Sequence, residues 1–168
     1  MSVENSMNES LTGQNNYFEN FEVGAVYQHA RGKTVTENDA VTICHMVLNS
    51  ASAHFDDAFM KKMHAAKLAH VGESLVFGGV TISMVIGLAH QDTGEQVIRE
   101  LSMDNIKLTG PVLHGNTLYA YTEVLSKAVT ADDAGIVTFR HYGVDQDQNL
   151  VFQGDRTALI RKKNPTTH

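Results

Sequence analysis

Residues 77–91 read FGGVTISMVIGLAHQ, and no other stretch restricts the possible folds as tightly. Two glycines lead into Val80, Ile82, Met84, Val85, Ile86, Leu88 and Ala89, with few polar interruptions: Thr81, Ser83 and the terminal His90. A helix at a protein surface keeps one polar face, so a segment apolar nearly all round belongs inside a domain. At about 1.5 Å per residue it would run roughly 20 Å, far short of a ~30 Å bilayer core. The expectation is one long buried helix in a soluble domain.

Beyond this helix the chain reads as strands. Residues 97–108 carry Ile98, Leu101, Met103 and Ile106 among polar residues, and Gly110-Pro111 and His114-Gly115-Asn116 mark turns. Residues 117–129, 136–144 and 150–161 are three further strands, separated by a polar loop at 130–135 and a turn at 145–149. Consecutive strands joined by short connections pair antiparallel. Ahead of the helix, residues 27–35 read as a first strand. Thr36 then caps a helix with Glu37 and Asp39 in its first turn, and Val41, Ile43, Cys44, Val47 and Leu48 recur at helical spacing. That helix is expected to stop near Asn49. Asp56 or Asp57 caps a short second helix carrying Ala58, Phe59 and Met63, and residues 60–74 leave the balance of helix and loop open. The order is that of an α+β domain in which a curved antiparallel sheet surrounds one helix.

One domain over residues 17–163 accounts for the chain, with residues 1–16 expected to be a mobile polar tail and 164–168 a short C-terminal one. The formal net charge is −6 and the basic residues are scattered, which argues against nucleic acid as a partner. The lone cysteine, Cys44, sits in an apolar helical pattern and reads as a core residue of a protein from a reducing compartment. No apolar run has the length of a signal peptide or a membrane span, so the cytoplasm is the expected location and no membrane partner is expected.

Several stretches together resemble one family. They are Phe21-Glu-Val-Gly24, Thr34-Val-Thr36-Glu37-Asn-Asp39, His54-Phe55-Asp56, the buried helix, Pro111-Val112, Gly115-Asn116-Thr117-Leu118 and Glu123-Val124. In this order they resemble the MaoC-like dehydratases, whose hot-dog fold wraps an antiparallel sheet around one long helix. The resemblance covers most of residues 20–162. Members of the (R)-specific enoyl-CoA hydratase type carry an Asp five residues before a His. Here the His is His54 and the earlier position holds Asn49, as in the branch that contains mesaconyl-CoA hydratase. The resemblance implies a homodimer or higher assembly, an acyl-CoA substrate bound near the subunit contact, and addition or removal of water across a Cα=Cβ bond. The CoA thioester is then substrate, and no separate cofactor is expected.

The candidate residues follow from what that chemistry needs. His54 is the acid/base, because imidazole titrates close to neutral pH. Asn49 cannot take a proton, but its amide carbonyl can hold a water molecule. That leaves His54 working alone or a nearby carboxylate such as Asp56 assisting, although a helix cap is the plainer role for Asp56. The backbone N–H of Gly78, supported by Gly79, suits a thioester oxygen that gains negative charge, since a helix N-terminus offers unpaired donors. The glycines equally suit tight helix packing. Hydratases of the Asp type place a His just before this glycine and a Ser eight residues after it; Phe77 and Ile86 stand there instead.

Lys61, Lys62, Lys67, Arg140 and Arg156 are the candidate cations for CoA phosphates, with solvated surface charge as the ordinary alternative for each. The pair His64 and His70 is poorly spaced for a helical metal site, and no metal is expected. Two rival readings remain: a hot-dog thioesterase, for which the helix start lacks a carboxylate, and a non-catalytic acyl-CoA-binding module.

Overall fold

The computed structural model describes residues 7–8 and 16–164. The short strand β1 (Met7–Asn8) is followed by β2 (Val26–Thr34), α1 (Glu37–Met46), α2 (Asp57–Ala65), α3 (Gly78–Thr93), β3 (Val97–Leu108), β4 (Thr117–Val129), β5 (Ala134–Val144) and β6 (Leu150–Arg161). Among the described residues, six strands form one sheet in the order β1-β2-β4-β5-β6-β3. Its five long strands are antiparallel, and β1 joins β2 in parallel. The expected α+β architecture is therefore present. The stretch expected to be a mobile tail departs from that expectation at two points: Met7–Asn8 pairs with Val26 and Tyr27, and Asn16 is buried and donates to the Gln91 carbonyl at 3.0 Å. Most of the remainder of that stretch, like residues 165–168, lies outside the described residues.

The meander forms where period-2 alternation places apolar side chains on one face. On β4 the inward positions are Leu118, Ala120, Thr122 and Val124, and on β5 they are Val137, Phe139, His141 and Gly143. α3 crosses this face. Val80, Val85 and Ala89 are fully buried against Leu118, Ala120, Val151 and Phe152. A side chain at Gly143 would run into Val85, so the sheet glycine is what lets the helix come close.

The α3 helix is not enclosed on all sides, as its composition suggested. Val80, Thr81, Val85, Ala89, Asp92 and Thr93 are buried on one face, whereas Ser83, Gly87 and His90 are exposed. The physical reason is that one sheet covers one side of a helix, leaving the other for a second layer. The helix also runs past residue 91. Asp92 and Thr93 remain helical because both turn inward: Asp92 meets His29, and Thr93 Oγ1 donates to the Ala89 carbonyl. At the sheet edge, β3 pairs with β6 alone among the described residues and exposes Ile98, Leu101, Met103, Ile106 and Leu108. An apolar edge strand left this way invites another chain. No helix among the described residues is long and apolar enough to cross a membrane.

The start of α1 follows the sequence pattern closely. The Thr36 hydroxyl accepts from Asp39 N–H at 3.2 Å, and the Asp39 carboxylate accepts from Thr36 N–H at 3.0 Å. Lys33 and Thr36 together hold the Asp39 carboxyl down at about 2. Thr36→Ala removes one half of this reciprocal cap and is expected to lower stability by about 1 kcal/mol at neutral pH. Urea melts of the two proteins read it directly, and superimposable curves would show the cap to be idle. α1 ends at Met46 rather than near Asn49, because Leu48 adopts a left-handed φ of +57° and turns the chain away from the helix axis.

Candidate active site

Three segments meet at the head of α3. The first is the turn Ser52–His54, a single 3₁₀ turn that runs into α2. Its local geometry is set by His54 N–H donating to the Ala51 carbonyl at 2.9 Å and Asp56 N–H to Ser52 at 2.9 Å. The second is the extended chain 74–77 that enters the helix. Leu75 N–H donates to Ala53 at 2.8 Å, which ties this segment to the His54 turn. The third is the turn at 113–116, brought alongside by an isolated antiparallel bridge between Leu75 and Leu113.

His54 is half-buried, and its Nδ1 lies 2.8 Å from the Leu75 carbonyl oxygen. A carbonyl only accepts, so this bond makes Nδ1 the protonated nitrogen of the neutral ring. Nε2 is left with its lone pair, the form a general base requires. The ring also packs against Phe77 at a centroid separation of 5.6 Å. Phe77 is the N-cap of α3, so the imidazole stands beside the helix head within a single subunit.

At that head, Val80 N–H turns back to the Phe77 carbonyl at 2.8 Å, while the N–H groups of Gly78 and Gly79 meet no acceptor among the described residues. They are the donors available to an oxyanion. The glycines have a packing role as well. A side chain at Gly78 would run into Leu108, and one at Gly79 into the Phe77 ring.

The cleft beside His54 has a volume of about 540 Å³, and its lining includes Glu37, His45, Asp57, Ser74 and His114. Asp56 also reaches it, but its carboxylate accepts from Phe59 N–H at 2.8 Å, so its position is that of the α2 cap. Asp57 accepts from the Ser74 hydroxyl at 2.6 Å and the Ser74 amide at 2.9 Å. Those two bonds, with smaller attractions from Lys61 and His114, hold its carboxyl below the ordinary range.

Asn49 does not join this group. Its Oδ1 accepts from Ala51 N–H at 3.1 Å, closing a local turn, and the residue lines a separate cleft of about 630 Å³ with Cys44, Leu48 and Ser50. His45 and Phe55 line both clefts, and their rings stack at 5.5 Å to form the wall between them. The water-holding role expected of Asn49 thus meets a carbonyl that is already engaged. Cys44 is buried as expected, and burial pushes its thiol up.

The candidate cations divide. Lys61 and Lys62 are exposed on α2, one turn beyond Asp57. Arg140 and Arg156 are not free for a phosphate. Arg140 forms a two-pronged pair with Asp155 at 2.6 and 2.8 Å. Arg156 is buried and bonds Glu100 and Thr93. Among the described residues no group of three or more His, Cys, Asp or Glu side chains is arranged to hold a metal ion. Sequence reading missed His114, which looked like part of a turn.

Residues 4–162 match the family model described as mesaconyl-CoA hydratase. The chain belongs to the mesaconyl-CoA hydratase family. It is 31% identical over 158 residues to a mesaconyl-CoA hydratase of Haloarcula marismortui, a match that covers 87% of this chain and 42% of that protein. The chain therefore spans less than half the length of that curated relative. A putative MaoC domain protein dehydratase from Chloroflexus aurantiacus superposes with a TM-score of 0.84 at 21% identity, over 95% of this chain and 44% of the other. A Mycobacterium tuberculosis protein with a double hot-dog fold superposes with a TM-score of 0.77 at 21% identity, over 90% of this chain and 46% of the other. The hot-dog fold expected from the sequence is the fold of this member of the mesaconyl-CoA hydratase family.

Proposed function

We propose that this protein adds water to, or removes it from, the Cα=Cβ bond of an enoyl-CoA thioester, with a short or branched acyl group of the mesaconyl kind. The observation that carries this is the His54 ring, locked by the Leu75 carbonyl with its Nε2 lone pair free and seated beside the unpaired N–H groups of Gly78 and Gly79.

In the hydration direction His54 takes a proton from water as the water oxygen bonds to Cβ. The displaced electron pair moves through Cα toward the thioester oxygen, where Gly78 N–H, supported by Gly79, meets the developing charge. A proton then returns to Cα. The Phe77 ring walls the site beside His54. Lys61 and Lys62 are the exposed cations on the neighbouring helix that suit the CoA phosphates. A second copy of the chain suits the exposed α3 face and the apolar β3 edge, giving a homodimer; the double hot-dog architecture of the Mycobacterium protein supports that pairing. The reaction as written uses the thioester and water alone, with no further cofactor.

Incubation with mesaconyl-CoA and crotonyl-CoA tests this. Falling enoyl-thioester absorbance with no release of free thiol is the expected result. Thiol release would instead mark a thioesterase. Saturable binding without turnover would mark an acyl-CoA-binding module, the reading that the engaged Asn49 carbonyl favours.

A further inference from the structure

Resting on the hydratase reading, the chemistry has two proton transfers to serve, one at water and one at Cα, and His54 is a single group. Asn49 cannot be the second, being an amide whose carbonyl is tied to Ala51. Asp56 is a helix cap, and Asp57 is held by Ser74. Three further titratable groups line the His54 cleft: Glu37, exposed in the first turn of α1; His45, stacked on Phe55 in the wall shared with the neighbouring cleft; and His114. His114 belongs to the wall of that cleft, and its Nε2 is buried without a hydrogen-bond partner among the described residues. A shielded ring nitrogen left without a partner is costly unless something uses it.

The backbone that carries this ring is fixed unusually firmly for a turn. Leu113 N–H donates to Asn116 Oδ1 at 2.8 Å, and Asn116 N–H returns to the Leu113 carbonyl at 3.1 Å. Gly115 N–H reaches the Val35 carbonyl at 2.8 Å, and Val35 N–H reaches the Asn116 carbonyl at 2.8 Å. Gly115 has a φ of +90°, which only glycine adopts without strain, so the turn is specified at the residue next to His114. The Leu75–Leu113 bridge places this turn directly across from the carbonyl that orients His54. Two imidazoles are thus anchored to adjacent points of one short ladder, at the edge of one cleft.

We propose that His114 is the second acid/base of the site, delivering the proton to Cα while His54 takes one from water. In hydration the Cα=Cβ π bond breaks as the C–O and C–H bonds form. His114 begins protonated and ends neutral; His54 begins neutral and ends protonated. Exchange with solvent through the cleft resets His54, and His114, whose Nε2 is shielded, exchanges through its other ring nitrogen, Nδ1, so no other reactant is consumed. Dehydration runs the same transfers backward.

The test is the steady-state kinetics of His114→Gln and His114→Asn with mesaconyl-CoA and crotonyl-CoA, beside wild type and His54→Ala. Removing a positioned acid/base is expected to lower kcat by about 100-fold or more. KM is expected to change less than about threefold, because a group acting only in the transition state leaves ground-state binding in place. Thermal melts report folding separately, and should one variant fail to fold, the other carries the test. A kcat within about threefold of wild type overturns the proposal. So does a raised KM with kcat retained, which would make His114 a substrate-binding ring. Full activity in the His114 variants alongside loss in His54→Ala removes this inference alone. A wild-type protein that turns over neither thioester removes the hydratase reading and this inference together.

Discussion

His54→Ala is expected to lower kcat for enoyl-CoA hydration by roughly 10²–10⁴-fold, the range associated with loss of a positioned general base. What decides the effect is where the ring's two nitrogens are committed. Nδ1–H is engaged by the Leu75 carbonyl at 2.8 Å, so Nε2 is the basic atom, and alanine supplies nothing in its place. Two main-chain bonds hold the same region without the imidazole: Leu75 N–H to Ala53 at 2.8 Å and Val76 N–H to Val112 at 2.9 Å. The variant is therefore expected to fold, with KM little changed, and His54→Gln provides a bulkier control for the space the ring leaves. Measured turnover above about a tenth of wild type would mean that this imidazole does not handle the water proton.

How much of this was legible beforehand depended on the range of the interactions involved. The β4 and β6 boundaries were readable because alternation and turn residues act locally. His54 and the glycines at 78 and 79 were readable because each belongs to a short segment with its own pattern. His114 was not, since a histidine inside His-Gly-Asn resembles turn punctuation. Contacts with segments distant in sequence, the Leu75–Leu113 bridge and the bonds to Val35, carry it to the site. The open face of α3 was hidden for the opposite reason: a nearly uniform apolar composition does not say which side the sheet will cover. One signal was present and passed over. Thr122 and His141 occupy the inward phase of β4 and β5, where every other neighbour in phase is apolar or glycine. A polar residue in that phase must find a buried partner.

Those two residues carry the second large effect expected here. Asp92 Oδ2 lies 2.6 Å from His29 Nδ1, His29 Nε2 lies 2.7 Å from Thr122 Oγ1, and Thr122 Oγ1 lies 2.8 Å from His141 Nδ1. All four side chains are buried. Burial pushes both histidines down: His29 below its ordinary value despite the opposing pull of Asp92, and His141 well below, with Arg156 and His29 adding to the burial effect. Both rings are therefore neutral in the fold, and the donors can be assigned in one direction. His141 Nδ1–H donates to Thr122, the Thr122 hydroxyl donates to His29 Nε2, and His29 Nδ1–H donates to the Asp92 carboxylate.

Thr122→Val keeps the volume and removes the middle member, leaving two buried ring nitrogens unpaired. At about 1–3 kcal/mol for each unsatisfied group, the expected loss is roughly 2–6 kcal/mol, or a fall in Tm on the order of 4–24 °C for a chain of this size. The same network fixes the sign of the pH dependence. In the unfolded chain both histidines take up protons near pH 6.5, whereas in the fold they do so only at lower pH. Their contribution to stability is complete above about pH 6.5 and declines as the pH falls toward their folded values, with a slope approaching about 2.7 kcal/mol per pH unit where both differ fully in protonation. Urea melts between pH 8 and pH 5 check both parts. A wild-type stability that stays level across that interval, or a Thr122→Val protein that melts with wild type, would mean that the chain from Asp92 to His141 contributes nothing to holding α3 on the sheet.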